Sequence, residues 1–119
     1  RFDLGDVMSD VLITFEQKIN ARGLQVSVDL PEKPVWTKAD RDAITQVVYN
    51  LLDNAIKFCP VGGNLGLILE QDGQKARLRI RWGLGLYIAK TIIGAHGGEI
   101  WATSENGVTE FSFTLPAVR

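Results

Sequence analysis

The apolar positions of this chain recur with two periods, and the switches between them divide it into elements. The opening RFDL alternates as an extended segment, and from Gly5 to Arg22 the residues Val7, Met8, Val11, Leu12, Phe15 and Ile19 share one helical face before Gly23 stops it. Leu24 to Leu30, LQVSVDL, alternates apolar and polar and predicts a half-buried strand closed by Pro31 and Pro34. A second helix is predicted from an Asp40 cap to about Phe58, ended by Pro60, Gly62 and Gly63. Strands over Asn64 to Gln71 and Lys75 to Arg81 flank the turn signal Asp72-Gly73. Gly83 to about His96 predicts a third helix, with Leu86, Ile88, Ala89, Ile92 and Ile93 apolar and Gly97-Gly98 as its stop. Ile100 to Ser104 and Thr109 to Leu115 are closing strands around Asn106-Gly107.

Helices interspersed with hairpins predict an α+β, two-layer sandwich: a mixed, mostly antiparallel sheet of about five strands with three helices on one face. At 119 residues, 45% hydrophobic and 23% charged, the chain is expected to be one domain, residues 1–119, with a core that needs no staples. Its abrupt start suggests a piece of a longer protein. A net charge of -1 and scattered Lys and Arg leave no basic footprint, so nucleic acid or an anionic membrane is not the expected partner. The one cysteine, Cys59, excludes an internal disulfide and reads as a small buried hydrophobe in a reducing compartment. No leader or long uncharged apolar run is present in this segment, which predicts no direct membrane contact.

The second helix carries the chemistry. With Ile44 just ahead of it, its stretch QVVYNLLDNAIKF places Ile44, Val47, Val48, Leu51, Leu52, Ala55 and Phe58 on one side at about 100° per residue, and Gln46, Asn50, Asp53, Asn54 and Lys57 on another. Asparagine is a mediocre helix former, so two of them four apart need a reason. Carboxamide oxygens suit Mg2+ and an ammonium one turn on suits phosphate, which makes the row a magnesium-phosphate wall. The same row also reads as a polar edge whose amides cap or bridge neighbouring loops. Gly83-Leu84-Gly85-Leu86, at the start of the third helix, offers free amide NH groups and the positive end of a dipole to an anion. Alone it is weak, because a G-x-G without a third spaced glycine is no dinucleotide fingerprint. Together the two segments supply facing walls for a nucleoside triphosphate.

In this order the motifs resemble those of the catalytic and ATP-binding domain of bacterial sensor histidine kinases, in the superfamily that also holds gyrase, Hsp90 and MutL ATPases. Asp40 with QVVYNLLDNAIKF and Gly62-Gly63 resembles the N box, GLGLYIAK the G2 box, and AHGGEIWATS followed by FSFTLP the closing strands. Asn50, where gyrase and Hsp90 carry glutamate, favours the kinases. The resemblance implies a Bergerat-type fold, ATP and Mg2+ as ligands, Asn54 on the metal, Asn50 beside metal and phosphates, and Lys57 on the phosphate chain. It makes Asn50 and Lys57 the catalytic groups, Phe58 part of the adenine pocket, and Gly83, Leu84, Gly85 and Leu86 the phosphate wrap, with Thr109 near the adenine end. It implies as partners a dimerisation and histidine-phosphotransfer domain in the same full-length protein and a downstream response regulator. The isolated domain is expected to be a monomer in the cytoplasmic part of a membrane-bound sensor. His96, the single histidine, is not the expected acceptor, which in the family lies on a separate upstream domain.

Where the family has its G1 box, D-x-G-x-G, and a mobile ATP lid, only Trp82 stands between Arg81 and Gly83. Three explanations fit: a lid too mobile to have been recorded in this sequence, deliberate removal, or natural loss in a relative that no longer binds nucleotide. Intact flanking boxes favour the first, and a Cα separation between Arg81 and Trp82 well beyond about 3.8 Å would mark the break. Rival functions are a nucleotide-free interaction module of the same fold, and a serine-directed kinase of the same superfamily.

Overall fold

A computed structural model describes residues 1–59, 61–82, 97–105 and 108–117. Strand β1 (Phe2–Asp3) leads into α1 (Leu4–Thr14) and α2 (Glu16–Ala21), followed by β2 (Gln25–Asp29), β3 (Trp36–Thr37) and α3 (Arg41–Phe58). Then come β4 (Asn64–Asp72), β5 (Lys75–Arg81), β6 (Glu99–Glu105) and β7 (Val108–Pro116). The main sheet has five strands in the order β2-β4-β5-β7-β6, and a separate small sheet pairs β1 with β3. Among the described strands only β2 and β4 run parallel, as strands joined through a helix can, whereas β4, β5, β7 and β6 are antiparallel neighbours. This is the mixed, mostly antiparallel sheet that the patterning predicts. The predicted helix from Gly83 to His96 lies outside the described residues.

Alternation along the central strands sorts the sheet into two faces. Leu65, Leu67 and Leu69 of β4, Ala76, Leu78 and Ile80 of β5, and Phe111, Phe113 and Leu115 of β7 are buried. They form one core with Leu4, Val7, Met8 and Val11 of α1 and the apolar side of α3, each fully buried large side chain contributing about 1.5–3 kcal/mol. The opposite face is an ionic ladder, with Glu70 near Arg77 and Arg79, and Glu110 near Arg79 and Arg81. Most of these side chains are half-buried on the open face, where such cross-strand pairs help set register. The β4–β5 hairpin turns at Gly73, whose φ of +60° at the first central position suits a two-residue loop of the II′ kind.

Two expectations need correction. The first helix is not continuous to Arg22: Phe15 leaves helical geometry (φ -96°, ψ 5°), dividing α1 from α2. There its ring is buried against Tyr49 of α3, with centroids 4.7 Å apart, and packing outweighs helix continuity. The second correction concerns β2, which is exposed along its whole length rather than half-buried. Among the described residues it pairs on one side only, and Val26 and Val28 stay 36% and 44% exposed on the helical side of the sheet's edge. Neither β3 nor the cap at Asp3 was expected. Asp3 Oδ1 accepts from the backbone N–H of Gly5 and of Val35, each at 3.0 Å, fastening the start of α1 to the approach to β3.

Candidate functional site

The site is built on α3. Asp40 begins the helix as expected, its side chain accepting from the N–H groups of Asp42 at 3.0 Å and Ala43 at 3.3 Å. Ile44, Val47, Val48, Leu51, Leu52, Ala55 and Ile56 are buried and anchor the helix to the sheet. Phe58 does not join them. It is 58% exposed at the last helical residue, and Ile56 takes the inner position instead. An aromatic ring left in solvent is free to pack on a ligand, so the position departs from the core stripe without opposing the family role.

Asn50 and Asn54 stand one turn apart, both half-buried. Among the described residues neither amide makes a side-chain hydrogen bond. They therefore do not cap or bridge a described loop, which the bland reading of this row required. Lys57 is exposed and pairs with Asp53 one turn back, Nζ to Oδ2 3.1 Å. Asp53 also faces Lys18 of α2, Nζ to Oδ1 3.8 Å, and it is only 22% exposed. This acid between two lysines was read in the sequence only as one member of a polar row; its partner on α2 became visible when α2 folded against α3.

The end of α3 is fixed from α2. Arg22 donates from Nη2 to the Cys59 carbonyl at 2.8 Å, the Gly62 N–H donates to the Arg22 carbonyl at 2.9 Å, and the Gln25 N–H donates to the Gly63 carbonyl at 2.9 Å. Cys59 is fully buried, and its thiol lies 3.5 Å from the Asn64 carbonyl. Burial pushes that thiol above its ordinary pKa, with the nearby Arg22 charge opposing the shift. The buried, inert thiol is what the sequence implied.

Gly83, Leu84, Gly85 and Leu86 lie outside the described residues, as does His96. Thr109 sits in β7 opposite Ser104 of β6. Among the described residues no group of three or more His, Cys, Asp or Glu is arranged to hold a metal. A magnesium ion here would depend on an amide oxygen and the phosphates. That donor set suits Mg2+, which keeps most of its water and takes few protein ligands, and the two unengaged amides fit it.

A five-stranded mixed sheet with its helices on one face is the fold of a histidine kinase catalytic domain. The nucleotide-free catalytic domain of histidine kinase ThkA superimposes with a TM-score of 0.90 at 27% identity, over 97% of this chain and 94% of that one. ThkA in complex with the response regulator protein TrrA matches with a TM-score of 0.82 at 25% identity, over 98% of this chain and 41% of that one. The adaptive-response sensory kinase SasA of Synechococcus sp. (strain JA-3-3Ab) is 31% identical over 147 residues, covering 98% of this chain and 39% of the relative. No family model matches the chain. With the fold, the ordered boxes and these relatives together, the chain belongs to the sensor histidine kinases, as their catalytic domain. It spans about two fifths of the length of the SasA relatives it matches.

Proposed function

We propose that this domain binds Mg-ATP along α3 and donates the terminal phosphoryl group to a histidine on a separate dimerisation domain of the full-length protein. A response regulator then takes the phosphate from that histidine. The observation that carries this reading is the pair of half-buried amides at Asn50 and Asn54, one turn apart and unengaged by any described side chain or loop. Asn54 holds Mg2+, Asn50 lies beside the metal and phosphates, Lys57 neutralises the phosphate chain, and exposed Phe58 lines the adenine pocket. Gly83 to Leu86 wrap the phosphates from the facing side, and Thr109 closes the adenine end. When bound, the metal supplies charge neutralisation and alignment of the phosphates; phosphoryl transfer needs little else from the protein. The response regulator in the ThkA–TrrA complex supports the downstream partner.

The natural protein is proposed to carry a G1 box and lid between Arg81 and Gly83. The aligned span of 147 residues exceeds the 119 residues of this chain, so the relative holds residues inside that span which are absent here. Trp82 adds a second indication. It leaves β5 with φ +86°, a left-handed conformation that a bulky side chain rarely adopts without strain.

Incubating the full-length protein with Mg-ATP labelled on the terminal phosphate tests the reading. A label on the protein that survives alkali and is lost in acid marks phosphohistidine, and Asn54→Asp removes it. An acid-stable label would point to the serine-directed alternative, and no label, together with no nucleotide binding, to the interaction module.

A further inference from the structure

Lys57 stands on α3 between two columns of side chains. At about 100° per residue it lies about 40° from Asp53 and about 60° on the other side from Asn54. The Asp53 column faces α2, since Tyr49 touches Phe15 and Asp53 meets Lys18. The Asn50–Asn54 column faces the proposed nucleotide. In this structure Lys57 is paired on the Asp53 side, its Nζ 3.1 Å from Asp53 Oδ2.

We propose that Asp53 is a positioning residue that holds Lys57 off the phosphate site until nucleotide arrives, and that Lys18 neutralises Asp53 when Lys57 leaves. The inference rests on the reading of Lys57 as a phosphate contact. Three observations carry it. Both lysine side chains are 62% exposed, so their hold on Asp53 is screened by solvent at the lysine end, and a multiply charged phosphate chain can outcompete it. Asp53 is mostly enclosed, and its Oδ1 is buried without a hydrogen-bond partner, so a carboxylate abandoned by Lys57 would be costly and would repel the phosphates. Lys18 Nζ is already 3.8 Å from that same Oδ1, short of a hydrogen bond but near enough to close on it. Its ammonium otherwise rests 5.4 Å from the centre of the Phe15 ring. The exchange leaves each charge paired before and after binding. It also makes the phosphate affinity answer to α2, an element that does not carry the amide row.

Mg-ATP titrations of the full chain and its variants, with unfolding midpoints measured alongside, test this inference. Lys57→Met is expected to weaken binding; if it does not, Lys57 touches no phosphate, and both that part of the proposed function and this inference fall. With that weakening established, Asp53→Asn is expected to tighten binding about two- to fivefold, the range a surface ion pair spans. The gain should shrink in the Lys57→Met background, and Lys18→Met should weaken binding only while Asp53 is present. A merely structural Asp53 would change the unfolding midpoint without tightening binding. Unchanged or weaker binding in Asp53→Asn would overturn the positioning role while leaving Lys57 as a phosphate contact. An equal gain with and without Lys57 would also overturn it, showing direct repulsion of the phosphates instead.

Discussion

Asn50 and Asn54 were legible as unusual because helix propensity disfavours them where they stand, and the structure leaves their amides unengaged among the described residues. Phe58 was harder to read, since its helical phase fits the core side while its ring stands exposed at the last helical residue. Periodicity reports direction and says nothing of where the neighbouring layer stops. Cys59 offers a prediction at this scale. Its thiol titrates above the ordinary value because it is buried, so the unfolded chain ionises first, near pH 8.5. The stability this thiol contributes is complete below that pH and is lost as pH rises above it. Urea unfolding from about pH 7 to pH 10 should show a decline that Cys59→Ala flattens; an equal decline in both proteins would assign it to other groups.

Helix α3 was readable from cap to end because its signals agree: Asp40 at the start, an apolar stripe, and glycines after the stop. The strands after it were readable through alternation and the turn at Gly73. Where the reading failed, a tertiary partner decided the outcome. The break at Phe15 depends on Tyr49 from a distant helix, and the exposure of β2 depends on its place at the sheet's edge. Neither is encoded in local periodicity. The same holds for Asp3, whose cap is local but whose second acceptor role toward Val35 is not. Asp3→Ala leaves two backbone N–H groups without their acceptor and is expected to cost about 1–3 kcal/mol in chemical denaturation. A change of a few tenths would show that water replaces the carboxylate and that this tie is incidental.

At the scale of the molecule, the order of elements gave the sandwich and the boxes gave the family, and the relatives agree with both. The parallel pairing of β2 with β4 and the ladder of arginines and glutamates on the open face were not foreseen, because strand order is set by long-range pairing. The candidate site was half legible: Asn50, Asn54 and Lys57 do share α3, as read, while the segment expected to face them, Gly83 to Leu86, lies outside the described residues. The account stands on Mg-ATP binding at α3. Calorimetric titration of Mg-ATP into the full-length protein should give saturable binding that requires Mg2+ and is abolished by Asn54→Asp in a protein that remains folded. Absence of binding, or binding that Asn54→Asp leaves unchanged, would contradict it.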